Sequence, residues 1–433
     1  MSPTMLGIIG FAALFVLIFF RMPIGFLMAL LGFGGFALIV SPDAALNLLA
    51  KDFFSIFSSY NLTVIPLFVL MGQIAFHAGI SSRLFDTAYR FIGHLPGGLA
   101  IATIGACAAF AAICGSTNAT AATMASATLP EMKRYNYDPG FATGVVAVGG
   151  SLGILIPPSV IFIVYGIMTE QSIGKLFISG ILPGIVLTLM FIGTIILWAT
   201  LKPEIGPRGP KFSFREKMAS LSGVIETLII FILVMGGLFA GVFTPTEAGA
   251  MGAFGTLLVA VISRKLTLKG FIAAISETTR ISCMILVIVA GATVFGHFLA
   301  VSRIPYDIAG WISGFDLPAW VIMFFIILTY FLGGCFIDSL ALIMLTVPIF
   351  YPVIIKLGFD PIWFGVIIVL VTQIGVITPP VGVNVYVVSG VARDVPLNTI
   401  FKGAVPLLIA LIIFTLLMIP FPGLATFLPS LVK

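Results

Sequence analysis

Charged residues are scarce in this chain: Asp, Glu, Lys and Arg occupy 9% of its 433 positions, against about 25% in an ordinary soluble domain. That excludes a water-soluble globule, and the 60% hydrophobic content, gathered in long runs, marks an all-α polytopic membrane protein. Histidine is limited to His77, His94 and His297, and the four cysteines (Cys107, Cys114, Cys283 and Cys335) lie in apolar segments without metal-ligand spacing. This argues against a zinc site or a disulfide framework. The sequence contains no P-loop, no paired carboxylates and no Ser–Lys arrangement at helical spacing, so it points to neither ATP hydrolysis nor an enzyme. The net charge of +5 sits mostly in loops, which bears on membrane orientation rather than nucleic-acid binding.

Apolar stretches of spanning length fall at about 4–20, 23–40, 62–80, 139–169, 176–200, 223–243, 246–263, 281–300, 360–391 and 397–420. Residues 5–20 lack a basic n-region and a cleavage site, so a retained first helix is expected there. Two further apolar segments, 97–134 and 317–357, are interrupted centrally by CGSTNAT (114–120) and GGCFIDS (333–339). Each reads as a re-entrant helical hairpin, the alternative being one full span plus an interfacial helix. The amphipathic stretches 81–94 and 267–280 fit helices lying in the interface, and the polar loop 201–217 reads as a joint between two halves. With both termini outside, sixteen of the 21 basic residues fall on the inner side, as the positive-inside rule requires.

A shift of 222 residues aligns Leu95-Pro96 with Leu317-Pro318, Pro130 with Pro352, Asp138-Pro139 with Asp360-Pro361, Gly153 with Gly375, and Pro157-Pro158 with Pro379-Pro380. The matches fall on turn formers rather than on the commoner Leu and Val. Residues 1–222 (hairpin 97–134, broken helix 139–169) and 223–433 (hairpin 317–357, broken helix 360–391) therefore read as two copies. The span count gives them opposite orientation, the inverted-repeat plan of secondary transporters.

The double prolines break apolar helices, freeing carbonyls at membrane depth where no water satisfies them. Polar groups cluster at each break and tip: Ser151 and Ser159 with Ser116, Thr117 and Asn118 in one half, and Thr372, Gln373, Thr378 and Asn384 with Asp338 and Ser339 in the other. Hydroxyls, amide oxygens, carbonyls and a carboxylate are hard ligands suited to Na+, while helix N-termini at the tips suit an anion. A simple kink at each Pro-Pro, and a structural role for Asp338, are the alternatives. Glu226 and Glu247, near span ends, read as structural. His297 has no acid or histidine partner at helical spacing.

The motifs RMPIGF (21–26), CGSTNATAATM (114–124), GGSLGILIPPSV (149–160) and TQIGVITPPVGVN (372–384) resemble the large, DctM-like membrane subunit of tripartite ATP-independent periplasmic (TRAP) transporters, over essentially the whole chain. The resemblance implies an elevator-type fold, like that of the ion transporter superfamily, of about ten spanning helices plus two re-entrant hairpins. It implies Na+-coupled import of an organic acid, such as sialic acid or a C4-dicarboxylate, across the bacterial inner membrane. Two partners are implied: a small four-helix membrane subunit, for which the chain leaves no room, and a periplasmic substrate-binding protein. Carried onto this sequence, the resemblance puts one Na+ site at Ser116 and Asn118 with Gly149, Gly150, Ser151 and Gly153. It puts a second at Asp338 and Ser339 with Thr372, Gln373, Gly375 and Thr378, and substrate near Ser116, Thr117, Asn118, Pro157, Pro158 and Asn384. A self-sufficient Na+- or H+-coupled anion transporter of related fold, or a channel, are the competing readings.

Overall fold

The computed structural model describes residues 2–18, 20, 22–307, 310 and 318–431, without the side chain of Ser222. Arg21, Leu317 and Lys433, used above for the motif, the repeat and the charge balance, lie outside them. Among the described residues there is no strand.

Helices α1 (Pro3–Ile18) and α2 (Ile24–Ile39) lead through amphipathic α3 (Pro42–Phe57) to α4 (Val64–His77) and amphipathic α5 (Ile80–Ile92). The first hairpin follows as α6 (Gly98–Cys114) and α7 (Thr117–Arg134), then the first broken helix as α8 (Pro139–Gly150) and α9 (Val160–Thr169), and then α10 (Ile173–Leu201). After short α11 (Phe214–Ser220), α12 (Ser222–Phe231) and α13 (Gly237–Phe239) come α14 (Pro245–Ile262) and the 34-residue α15 (Leu268–Val301). The order then recurs: helices α16 (Ala319–Gly334) and α17 (Ser339–Lys356), broken α18 (Pro361–Gly375) and α19 (Val383–Val391), long α20 (Leu397–Met418) and terminal α21 (Gly423–Ser430).

The repeated Asp-Pro pairs have a local cause. Asp138 accepts the Phe141 amide at 2.8 Å and Asp360 the Trp363 amide at 2.8 Å, with Pro139 and Pro361 at the first helical position. A carboxylate cap followed by a residue that needs no hydrogen-bond acceptor starts both helices at the same place.

The span pattern differs from expectation in three ways. Six described helices are long and apolar enough to cross a membrane, or seven if the pair bent by 41° around residue 221 counts as one. Helices α1 and α2 have 16 residues each and fall short, and the two broken helices are divided by design of their sequence. Helix α17, expected as a hairpin arm, is itself of spanning length. Residues 267–280 are not a separate interfacial helix. They continue without a proline into α15, so the polar stretch is the exposed end of one long rod.

Two packed sets of helices result. In one, α15 lies along α2 and α4 along α14. Gly25 and Gly32 let the α2 backbone reach that of α15, the small-residue packing common between membrane helices. In the other, α8 lies along α20, α7 on α8, and α16 on α18. The sets meet where α4 touches α6 and α15 touches α17. The polar linker is held rather than loose: Gly97 and Asp138 donate backbone amides to Gly206 and Ile205, and Gly209 donates to Gly93, at 2.8–3.1 Å.

Candidate functional site

The first tip is a two-residue turn. Gly115 has φ 64°, and a Cβ there would lie 2.6 Å from the Pro158 carbonyl, so the turn needs glycine for both conformation and space. Ser116 then caps α7, its hydroxyl accepting the Ala119 amide at 3.4 Å, while its carbonyl accepts Thr120 Oγ1 at 2.8 Å. The first break packs directly against this turn: a Cβ on Gly153 would fall 2.5 Å from the Ser116 carbonyl, and one on Gly150 2.6 Å from Ala121 Cβ. Tip and break are thus held together by glycines where any side chain would separate them.

At the second tip, Asp338 caps α17, with Oδ2 accepting the Leu340 amide at 3.0 Å, and Ser339 is buried at 2% exposure. The second break meets the end of α16, where a Cβ on Gly375 would lie 2.5 Å from the Gly334 carbonyl carbon. The Pro157–Pro158 and Pro379–Pro380 bonds are both cis.

The carbonyls freed at the first break are partly taken up by the other half of the chain. The Ser151 amide turns to Val148 and Gly149, and Asn384 Nδ2 donates instead to the Ala147 carbonyl at 3.0 Å. Likewise the Leu155 amide turns to Leu152, and Gln373 Nε2 donates to the Ser151 carbonyl at 2.8 Å. Ser159 Oγ donates to Ile154 at 2.6 Å. Asn384 also receives the Thr117 hydroxyl, 2.7 Å from its Oδ1, tying the first tip to the second break. The packing is reciprocal, with α19 against α7 and α17 against α9.

The two tips converge on one cavity of ≈ 100 Å³, lined by Ser116, Thr117 and Asn118 from the first and Asp338 and Ser339 from the second. Ile154, Val160 and Ile161 contribute from the first break. Three expected ion ligands carry a buried side-chain oxygen without a hydrogen-bond partner: Asn118 Oδ1, Ser339 Oγ and Gln373 Oε1. Such groups cost about 1–3 kcal/mol each when left unpaired, and they are hard donors of the kind an alkali cation takes. The hydroxyls of Ser151, Thr372 and Thr378 donate to carbonyls three or four residues back, leaving lone pairs as what they present.

Other expected residues are placed elsewhere. Pro157 faces a separate apolar cavity with Ile156, Ile181 and Phe231. Asn384 is fully buried beneath the first tip, where it acts as a brace. The far wall of the cavity is not evident from the sequence: Val69, Gly72 and Gln73 of α4, and Ile281, Met284 and Ile285 of α15. Gln73 alone carried a signal, an amide within an apolar helix. The expected structural acids behave as such: Glu226 pairs with Arg83 and accepts from Ser263, and Glu247 completes a capping box with Thr244. His297 does have an acid partner, Asp52 of α3 at 3.4 Å, which helical spacing within one element does not reveal.

The profile of the family described as "Tripartite ATP-independent periplasmic transporter, DctM component" matches residues 11–424. The chain is 37% identical over 394 residues, 91% of each protein, to the C4-dicarboxylate TRAP transporter large permease protein DctM of Pseudomonas aeruginosa. It is 34% identical over 417 residues, 96% of each, to the sialic acid TRAP transporter large permease protein SiaM of Vibrio cholerae. Among solved structures, the YdaH transporter of Alcanivorax borkumensis superposes with a TM-score of 0.64 over 98% of both chains at 14% identity, a likeness of fold alone.

Proposed function

From the premise that the chain belongs to the DctM family of tripartite ATP-independent periplasmic transporters, we propose that it imports an organic acid across the bacterial inner membrane, driven by Na+, through an elevator motion. The family's large permeases are multi-pass membrane proteins, not enzymes, and work with a small permease subunit and a periplasmic binding protein. For this chain both partners are part of the proposal, as is the placement of both termini in the periplasm, which rests on the charge asymmetry of its loops.

One observation carries the reading: two oxygen-bearing hairpin tips, from different halves of the sequence, line one cavity on the seam between two helix sets. In the elevator reading, the set holding tips and breaks moves and the set of α2, α4, α14 and α15 stays. Na+ would be held at Ser116, Asn118 and the 149–153 break, and at Asp338, Ser339, Thr372, Gln373, Gly375 and Thr378, where the unpaired oxygens lie. The anion would sit between the tips, near the amides that open α7 and α17. Each Na+ entering down 100 mV contributes about 2.3 kcal/mol to accumulation. The recurring helix order, the matched Asp-Pro caps and the reciprocal packing of α7, α9, α17 and α19 support two inverted copies, 1–222 and 223–433.

The test is uptake of radiolabelled succinate and N-acetylneuraminate into proteoliposomes containing the large and small subunits, with and without the cognate binding protein and a Na+ gradient. Uptake that needs both supports the proposal. Full uptake without the binding protein favours a self-sufficient anion transporter, and flux that neither saturates nor depends on Na+ favours a channel.

A further inference from the structure

Gln73 stands in the apolar run VIPLFVLMGQIAFH of α4, where an amide has no packing advantage. Its side chain is buried, at 7% residue exposure, and its Oε1 has no hydrogen-bond partner. It borders the cavity shared by Ser116, Asn118, Asp338 and Ser339, yet α4 packs chiefly on α14 and α15 and meets the set that carries the tips only along a smaller contact with α6 and α9. The neighbouring residue explains how it gets there. A Cβ on Gly72 would lie 3.0 Å from Cys114 Cα and 3.1 Å from its carbonyl oxygen, so a glycine lets α4 close onto the end of α6 and holds Gln73 beside the first tip.

A buried amide oxygen left unpaired is retained at a cost unless a donor from elsewhere satisfies it. The rest of the α4 and α15 wall is Val69, Ile281, Met284 and Ile285, which offer no polar partner. We infer that Gln73 accepts, through Oε1, a hydrogen bond from a hydroxyl or amide N–H substituent of the transported anion, from the stationary side of the seam, and so favours anions that carry such a donor. This inference rests on the transport reading above. Because α4 and the tips belong to different sets, the contact exists only while the tips face α4. Gln73 therefore favours the loaded form of this one conformation, as any ligand contact with differential affinity must.

The test is equilibrium binding of radiolabelled succinate and N-acetylneuraminate at saturating Na+ to the detergent-purified complex of large and small subunits, for wild type, Gln73→Met and Gln73→Glu. Methionine keeps the volume and removes the amide; glutamate adds a charge of the same sign as the ligand. The expected result is a half-saturating concentration for N-acetylneuraminate, which carries hydroxyl and amide donors, raised about tenfold in Q73M and further in Q73E, with that for succinate, which has no donor, within about twofold of wild type in Q73M and the thermal unfolding midpoint of Q73M unchanged. Half-saturation for N-acetylneuraminate within about twofold of wild type in both variants overturns the inference, as does an equal rise of about tenfold for succinate in Q73M, a wild type that binds succinate but not N-acetylneuraminate, or a fall in unfolding temperature with binding unaltered. Absence of Na+-dependent uptake of either acid by the wild-type complex in proteoliposomes overturns the transport reading itself, and the inference with it.

Discussion

Gln373 donates its side-chain amide to the backbone carbonyl of Ser151 at 2.8 Å, and the two residues stand 222 positions apart. That is the offset which aligns the two Pro-Pro breaks and the two Asp-Pro caps. In a two-fold arrangement, only equivalent positions beside the axis touch one another. The bond therefore supports an axis between the two breaks, and it supplies a donor to a carbonyl that the first break has freed.

Replacing Gln373 with Met should leave the Ser151 carbonyl buried and unpaired. The expected loss is about 1–3 kcal/mol of stability, read as a lower thermal unfolding midpoint in detergent. Because the Gln373 Oε1 is one of the unpaired oxygens, the same variant should also need more Na+ for half-maximal uptake.

Gly153→Ala and Gly375→Ala place a Cβ 2.5 Å from Ser116 and Gly334 respectively, against backbone that has nowhere to go. Each should cut Na+-driven uptake at least about tenfold, since misplacing a binding constellation by an ångström has effects of that order, while membrane insertion is kept. Gly105→Ala, whose Cβ meets nothing within 4 Å, should transport like wild type.

Much of this was legible in the sequence, for identifiable reasons. Tips and breaks carry proline, glycine and capping residues whose backbone effect is local, so helix ends at Gly115, Gly150 and Asp338 follow from neighbours in the chain. What was not legible depends on partners far away. Asn384 reads as a polar group at a break, and only the fold shows it spanning from Thr117 to Ala147. The α4 and α15 wall of the cavity is ordinary apolar helix in sequence, and Asp52 meets His297 across 245 positions of chain. Hydropathy sets residues 267–280 apart from the apolar run that follows, yet the helix is continuous, because a rod that leaves the bilayer needs no break.

Thr117 and Asn384 should behave as one unit. In a double-mutant cycle of Thr117→Val and Asn384→Ala, the coupling energy should be about 0.5–1.5 kcal/mol. Asn384→Ala should be the more damaging single change, because it also unpairs the Ala147 carbonyl. Equal single effects that simply add would remove the brace from the account.

Lys133 and Asp394 tie the far end of α7 to the segment after α19, Nζ to Oδ2 at 2.5 Å. The hydrogen bond from Lys133 holds the Asp394 carboxyl below its ordinary range. A lowered carboxylate pKa contributes stability above the unfolded value and loses it as pH falls through the folded one. Asp394→Asn should therefore lower the unfolding temperature slightly at neutral pH, both groups being exposed. The difference from wild type should vanish in acid, below the ordinary aspartate range.

The central claim is that the two tips hold the coupling ions, and Asp338 is its most direct probe. The measurement is the Na+ concentration for half-maximal uptake in proteoliposomes, for wild type and Asp338→Asn, with the binding protein present. The account predicts a clearly higher Na+ requirement in D338N with folding and insertion intact. An unchanged Na+ dependence would contradict it.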